Sequence, residues 1–189
     1  MIEQKNTTVL IVPGLRDHVE QHWQTLLAAR LSKVKTVPPL ESDKLSLTAR
    51  VAAIQSTIET IDGPIIVVAH SAGTLMMVHW AQCHAANIQG ALLAVPPDFS
   101  VPMPVGYPTV QQLAKNDWLP VPTHRLTFRS IVTTSENDPL AAFDQVVAMA
   151  NNWGSELVHL GKVGHLNSAS GYGDWPQADA LIQRLIDGS

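Results

Sequence analysis

Short runs of aliphatic and β-branched residues alternate along this chain with longer stretches in which apolar positions recur every three to four residues. The runs at Thr8–Val12, Val34–Val37, Ile65–Ala69, Ala91–Val95, Arg129–Thr133 and Glu156–Leu160 predict six strands. Most are apolar on both faces, as parallel strands covered by helices on both sides must be. Helical patterns fall between them at His22–Leu31, Leu47–Thr60, Gly73–Ala86, Pro139–Asn152 and Trp175–Ile186. Ser46 and Asp174 are N-cap candidates, and Pro139 and Pro176 suit first-turn positions. This βαβ rhythm, with right-handed crossovers, predicts an α/β architecture: a doubly wound three-layer sandwich whose ligand crevice lies outside the carboxyl ends of the strands. The 189 residues, 46% of them hydrophobic, suit one domain spanning 1–189 with a good-sized core.

One segment interrupts the rhythm. Residues 96–122 carry Pro96, Pro97, Pro102, Pro104, Pro108, Pro120 and Pro122 and are too long for a plain turn. Because the segment leaves the strand next to the one ending at Ala69, it is expected to form a lid or a wall of the pocket. Phe99, Met103, Tyr107, Leu113 and Trp118 would supply the apolar surface.

Composition narrows the partners. A formal net charge of −4 without a Lys/Arg cluster argues against a nucleic-acid surface, which needs concentrated positive charge. The first apolar run, Val9–Val12, is too short for a signal segment or a spanning helix, so no membrane association is expected and cytoplasm is the default location. Cys83 stands alone, which rules out an internal disulfide, and its place in a predicted helix reads as a buried small hydrophobe rather than a reactive thiol.

The chemistry concentrates at Pro64–Gly73, where an apolar run turns abruptly into Ala69-His70-Ser71-Ala72-Gly73 and then into helical periodicity. A serine between small residues on a sharp strand-to-helix turn projects its hydroxyl above the sheet edge; the pattern is G-x-S-x-G with Ala69 in place of the first glycine. A hydroxyl is a weak nucleophile and needs a base and a group to orient that base. After the fifth predicted strand comes Ser135-Glu136-Asn137-Asp138-Pro139, and after the sixth comes Gly164-His165-Leu166-Asn167. Ser71, Asp138 and His165 thus follow the order serine, acid, histidine from three loops at one sheet edge, with Glu136 as the rival acid. Singly, each has a plainer role as a cap or turn residue; jointly, chance placement at three strand ends is a poor account.

An oxyanion hole would draw on the backbone amides of Ala72, just after the serine, and Leu15, in the loop after the first strand, where Gly14 permits close approach. Gly14, Arg16 and Phe99 are candidate substrate contacts; Arg16 suits an anionic substrate group, although surface arginines are commonly just solvated. His18 and His22 have i, i+4 spacing but lack a third ligand, and His79 and His84 fall on different helix faces, so neither metal nor cofactor is expected.

These motifs carry a resemblance. Val12-Pro13-Gly14-Leu15 followed by His22-Trp23-Gln24, Ala69-His70-Ser71-Ala72-Gly73, Ser135–Pro139, Trp153-Gly154-Ser155, Gly164–Asn167 and Ser170–Pro176 together resemble the retinoblastoma-binding protein 9 and YdeN family of small serine hydrolases. The resemblance implies a compact α/β-hydrolase fold lacking the superfamily's first two strands, with Ser71, Asp138 and His165 on the triad positions; Ala-His-Ser is common in that family. The resulting expectation is a serine hydrolase acting on a small acyl ester, thioester or amide through an acyl-enzyme. Its rivals are a hydrolase-fold interaction module, since fold alone does not establish chemistry, and an acyltransferase that shields the acyl-enzyme from water.

Overall fold

In the computed structural model, which describes residues 2–188, six strands form one parallel sheet in the order β2-β1-β3-β4-β5-β6. They are β1 (Thr8–Val12), β2 (Val34–Thr36), β3 (Ile65–His70), β4 (Ile88–Ala94), β5 (Arg129–Thr134) and β6 (Glu156–His159). The helices are α1 (Trp23–Arg30), α2 (Leu47–Ile58), α3 (Ala72–Cys83), α4 (Val110–Lys115), α5 (Phe143–Trp153) and α6 (Gln177–Asp187).

The pleat explains the two-sided core. Leu10, Val12, Ile65, Val67, Ala69, Ala91, Leu93 and Val132 face α2, α3 and α5, whereas Val9, Ile11, Ile66, Val68, Leu92, Ala94 and Ile131 face α1 and α6. β3 is buried along its whole length, while the edge strands β2 and β6 are only partly covered. The chain runs from β1 outward to β2 and returns to β3 on the other side of β1, so strand order reverses between β1 and β3. The carboxyl ends of these two strands therefore open the crevice of a doubly wound sheet.

Element boundaries differ from the sequence expectation where side chains intervene. Ser46 caps α2 by accepting from the Ala49 N–H at 3.2 Å. Asp174 caps nothing: it pairs with Arg30 at 2.8 Å, and α6 starts after Pro176 without a side-chain cap. α5 starts at Phe143 rather than Pro139, because the Asp138 carboxylate accepts from the Leu140 N–H at 2.8 Å and holds that stretch as a turn. α3 ends at Cys83, so this cysteine lies beyond the part of the helix covered by the sheet and is exposed, not buried. The proline-rich segment hides α4, whose Thr109/Gln112 capping box was a readable start signal. In that segment Leu113 and Trp118 are fully buried core residues rather than pocket wall; the Trp118 indole donates to the Leu45 carbonyl at 2.7 Å.

Gly73 fixes how closely α3 approaches β1. A Cβ there would press into the Val12 carbonyl oxygen and lie 2.7 Å from that of Pro13, neither of which can move without disturbing the sheet. Gly73→Ala is expected to destabilise the protein by about 1–3 kcal/mol, read as a lowered midpoint of urea unfolding.

Candidate active site

Ser71 sits between β3 and α3 with φ 55° and ψ −130°, a strained conformation for a residue with a Cβ. The turn is secured on both sides: the Ser71 N–H donates to the Ala94 carbonyl at 2.9 Å, and Gly14 approaches so closely that a Cβ there would lie 3.3 Å from that of Ser71. The strain aims the hydroxyl away from the sheet, toward the loop after β6.

From that loop His165 brings Nε2 to 2.8 Å from Ser71 Oγ, while its Nδ1 lies 2.8 and 3.0 Å from the two oxygens of Asp138. A carboxylate beside Nδ1 makes that nitrogen the donor and leaves Nε2 free to accept the serine proton. The side chains of His165 and Asp138 are 5% and 3% exposed, so this chain of contacts is shielded from bulk water. Glu136, the rival acid, points elsewhere, to His159 at 3.2 Å, with both side chains exposed.

Several residues that spacing did not single out hold these groups. Asn137 Oδ1 accepts from the Gly164 N–H at 2.7 Å and the Ser135 hydroxyl at 3.0 Å, and Ser135 Oγ accepts from the Val163 N–H at 3.2 Å; the acid loop is thereby stitched to the histidine loop. The His165 N–H donates to Ser170 Oγ at 3.0 Å. Behind it, His70 Nε2 donates to the His165 carbonyl at 3.0 Å, so the residue preceding the serine also grips the residue that faces it. Gln24 donates to the carbonyls of Val12 at 3.2 Å and Val68 at 3.0 Å, tying α1 across the ends of β1 and β3. The clue to these roles lay in the His-Trp-Gln and Ser-x-Asn-Asp runs, but nothing in local spacing named their partners.

His22, His70 and His165 form a column of rings, with centroids 4.5 Å apart for the first pair and 5.1 Å for the second. Burial, with a smaller contribution from His165, lowers the pKa of His22 to about 4. Burial followed by the charges of His165 and His22 lowers that of His70 well below the ordinary range. Both rings therefore stay neutral near pH 7.

Beside Ser71 lies a cavity of about 100 Å³ whose apolar wall includes Leu15, Phe99, Met103, Tyr107 and Leu140. Gly14, Arg16, Ala72 and Asn167 also border it. Phe99, Met103 and Tyr107 come from the proline-rich segment, which also carries the exposed Val101 and Val105. Among the described residues, no group of three or more His, Cys, Asp or Glu could hold a metal ion, and no helix is long and apolar enough to cross a membrane.

The six-stranded parallel sheet with its helices is the α/β-hydrolase fold. Residues 9–184 match the model of the serine hydrolase family, and the chain belongs to that family. It is similar to a YdeN-like hydrolase from Pectobacterium atrosepticum, at 26% identity over 96% of this chain and 91% of that one, with a TM-score of 0.80. The ydeN gene product of B. subtilis shares 17% identity over 96% and 99% of the two chains, with a TM-score of 0.71. Est1E from Butyrivibrio proteoclasticus, solved with ferulic acid bound, shares 13% over 98% and 92%, with a TM-score of 0.72. The last two bear on the fold alone. No curated protein sequence matches the chain.

The depressed pKa of His22 makes stability depend on pH. Because the unfolded imidazole takes up its proton near 6.5 and the folded one only near 4, the contribution is whole above pH 6.5 and is lost as the pH falls toward 4; it amounts to about 3 kcal/mol. His22→Asn keeps an acceptor for the Gln24 N–H that His22 Nδ1 now binds at 3.2 Å. It is expected to reduce the fall in unfolding free energy between pH 6.5 and 4, followed by urea titration at each pH; an unchanged slope would assign the dependence to other groups.

Proposed function

We propose that this serine hydrolase cleaves small acyl esters through a Ser71-His165-Asp138 triad and an acyl-enzyme, with thioesters and reactive amides open to the same chemistry. The observation that carries this reading is the unbroken run from Ser71 Oγ through His165 to Asp138, each link 2.8 Å at its shortest, built from three separate loops. His165 Nε2 takes the Ser71 proton as Oγ attacks the substrate carbonyl carbon, and Asp138 stabilises the imidazolium that forms. The tetrahedral intermediate places its negative charge on the former carbonyl oxygen. Ala72, at the N-terminus of α3, and Leu15, in the loop after β1, are the backbone donors assigned to that oxygen; each such donor is typically worth about 2.7–4 kcal/mol of transition-state stabilisation. The imidazolium then protonates the departing alcohol as the carbon–oxygen bond breaks. In the second half-reaction water attacks the acyl-enzyme, gives its proton to His165, and releases the acid with Ser71 restored.

A cavity of about 100 Å³ suits a short acyl group. The neutral His22 and His70 suit the mechanism too, since a second positive charge beside His165 would oppose imidazolium formation. Phe99, Met103 and Tyr107 are assigned to the acyl-group wall, with the 96–122 segment as the element that covers the site.

A fluorophosphonate probe is expected to label Ser71 in the wild type, and the adduct is located by peptide mass spectrometry. Ser71→Ala should abolish labelling and lower kcat on p-nitrophenyl acetate by at least about 10⁴-fold, and Asp138→Asn should lower kcat by about 10⁴-fold, with the unfolding midpoint of Ser71→Ala nearly unchanged. An unlabelled, folded wild type would favour the interaction-module reading, and full activity in Ser71→Ala would remove the serine from the mechanism.

A further inference from the structure

We propose that Arg16 is a specificity residue and that the substrate carries a carboxylate that pairs with it; this deepens the hydrolase reading and rests on it. Arg16 is the one lysine or arginine side chain bordering the cavity beside Ser71. Its position is built rather than incidental. The Asp17 N–H donates to the Gly14 carbonyl at 3.0 Å, closing a tight turn in which Leu15 and Arg16 are the two central residues. Asp17 then anchors the turn by pairing with Arg50, which is 5% exposed and whose Nε also donates to the Lys44 carbonyl at 3.0 Å. The residue following the assigned oxyanion donor is thus a cation held on a fastened turn.

The same arrangement leaves Arg16 without an acidic partner. Asp17 is the one Asp or Glu bordering the cavity, and its charge is committed to Arg50. Among the described residues, no carboxylate lies within ion-pair distance of Arg16. The Tyr107 ring, whose centroid lies 5.7 Å from the guanidinium carbon, supports the side chain from the proline-rich segment. A planar guanidinium without an acidic partner, beside an apolar wall, fits a carboxylate on a short chain. That carboxylate can belong to the acyl half, as in the monoester of a dicarboxylic acid, or to the leaving group, as in an ester of a hydroxy acid.

The test compares matched charged and neutral esters on the wild type, Arg16→Gln and Arg16→Lys. One arm uses p-nitrophenyl hemiadipate against p-nitrophenyl hexanoate; the other uses para-acetoxybenzoate against para-acetoxybenzamide. The proposal expects a wild-type kcat/KM ratio favouring the charged member by about tenfold in one arm, the size of a single charge-assisted contact, and the arm that shows it identifies which half of the ester bears the charge. That ratio should shrink with added salt, collapse in Arg16→Gln and survive in part in Arg16→Lys. Ratios near unity in both arms, or a ratio that Arg16→Gln leaves intact, would overturn the assignment of Arg16 while Ser71-dependent hydrolysis of the neutral esters stood. Loss of all Ser71-dependent turnover would instead strike the hydrolase reading beneath it.

Discussion

The close approach of the first turn of α3 to the end of β1 is the constraint on which the rest of the site depends. Gly73 has no Cβ to hold the helix away from the Val12 and Pro13 carbonyls, and Gly14 has none to hold the loop after β1 away from Ser71. With both gaps closed, strand and helix can be joined only through a residue at positive φ, and Ser71 takes that conformation. Leu15, Ser71 and Ala72 accordingly border one cavity. The strained serine is sustained by its surroundings: β3 is buried throughout and hydrogen-bonded to β1 and β4, so the chain cannot relax the turn without breaking the middle of the sheet.

His165 is held differently. His165 comes from a loop, and loops position side chains only when other contacts restrain them. Here the restraints converge from three directions: Asn137 and Ser135 from the acid loop, Ser170 from the loop's own short helix, and His70 from β3. Through His70, β3 registers the histidine loop directly. A buried imidazole suits this task because it supplies one N–H donor while remaining neutral, so it adds no charge next to a group proposed to become cationic.

Electrostatics on the other side of the cavity follow from a largely buried ion pair. Asp17 pairs with the buried Arg50 through Nη1, where an unpaired charge would be costly, and this pairing fastens the loop that borders the serine. Beside Tyr107 this leaves the exposed Arg16, a positive charge on a cavity whose lining carboxylate, Asp17, is paired with Arg50.

Periodicity and local turn chemistry were enough to determine the alternation of strands and helices, the strand-to-helix turn at Ser71 and the order serine, acid, histidine, because each of these is written within a few residues of chain. The choice between Glu136 and Asp138, two positions apart in the loop after β5, could not be read that way. Asp138 faces His165 and Glu136 faces His159 because the β5–β6 pairing and the Asn137 bridge set the loop's orientation. The sequence likewise suggested Phe99, Met103, Tyr107, Leu113 and Trp118 of the proline-rich segment as pocket wall, whereas Leu113 and Trp118 are drawn into the core and Phe99, Met103 and Tyr107 border the cavity. Asp17–Arg50, Gln24 across two strand ends and His70 against His165 join residues that are between 12 and 95 positions apart. Such partnerships arise when the sheet brings its carboxyl ends together, so the kinds of groups available were determined by the sequence, and their pairing, their protonation and the charge left over were decided by the tertiary structure.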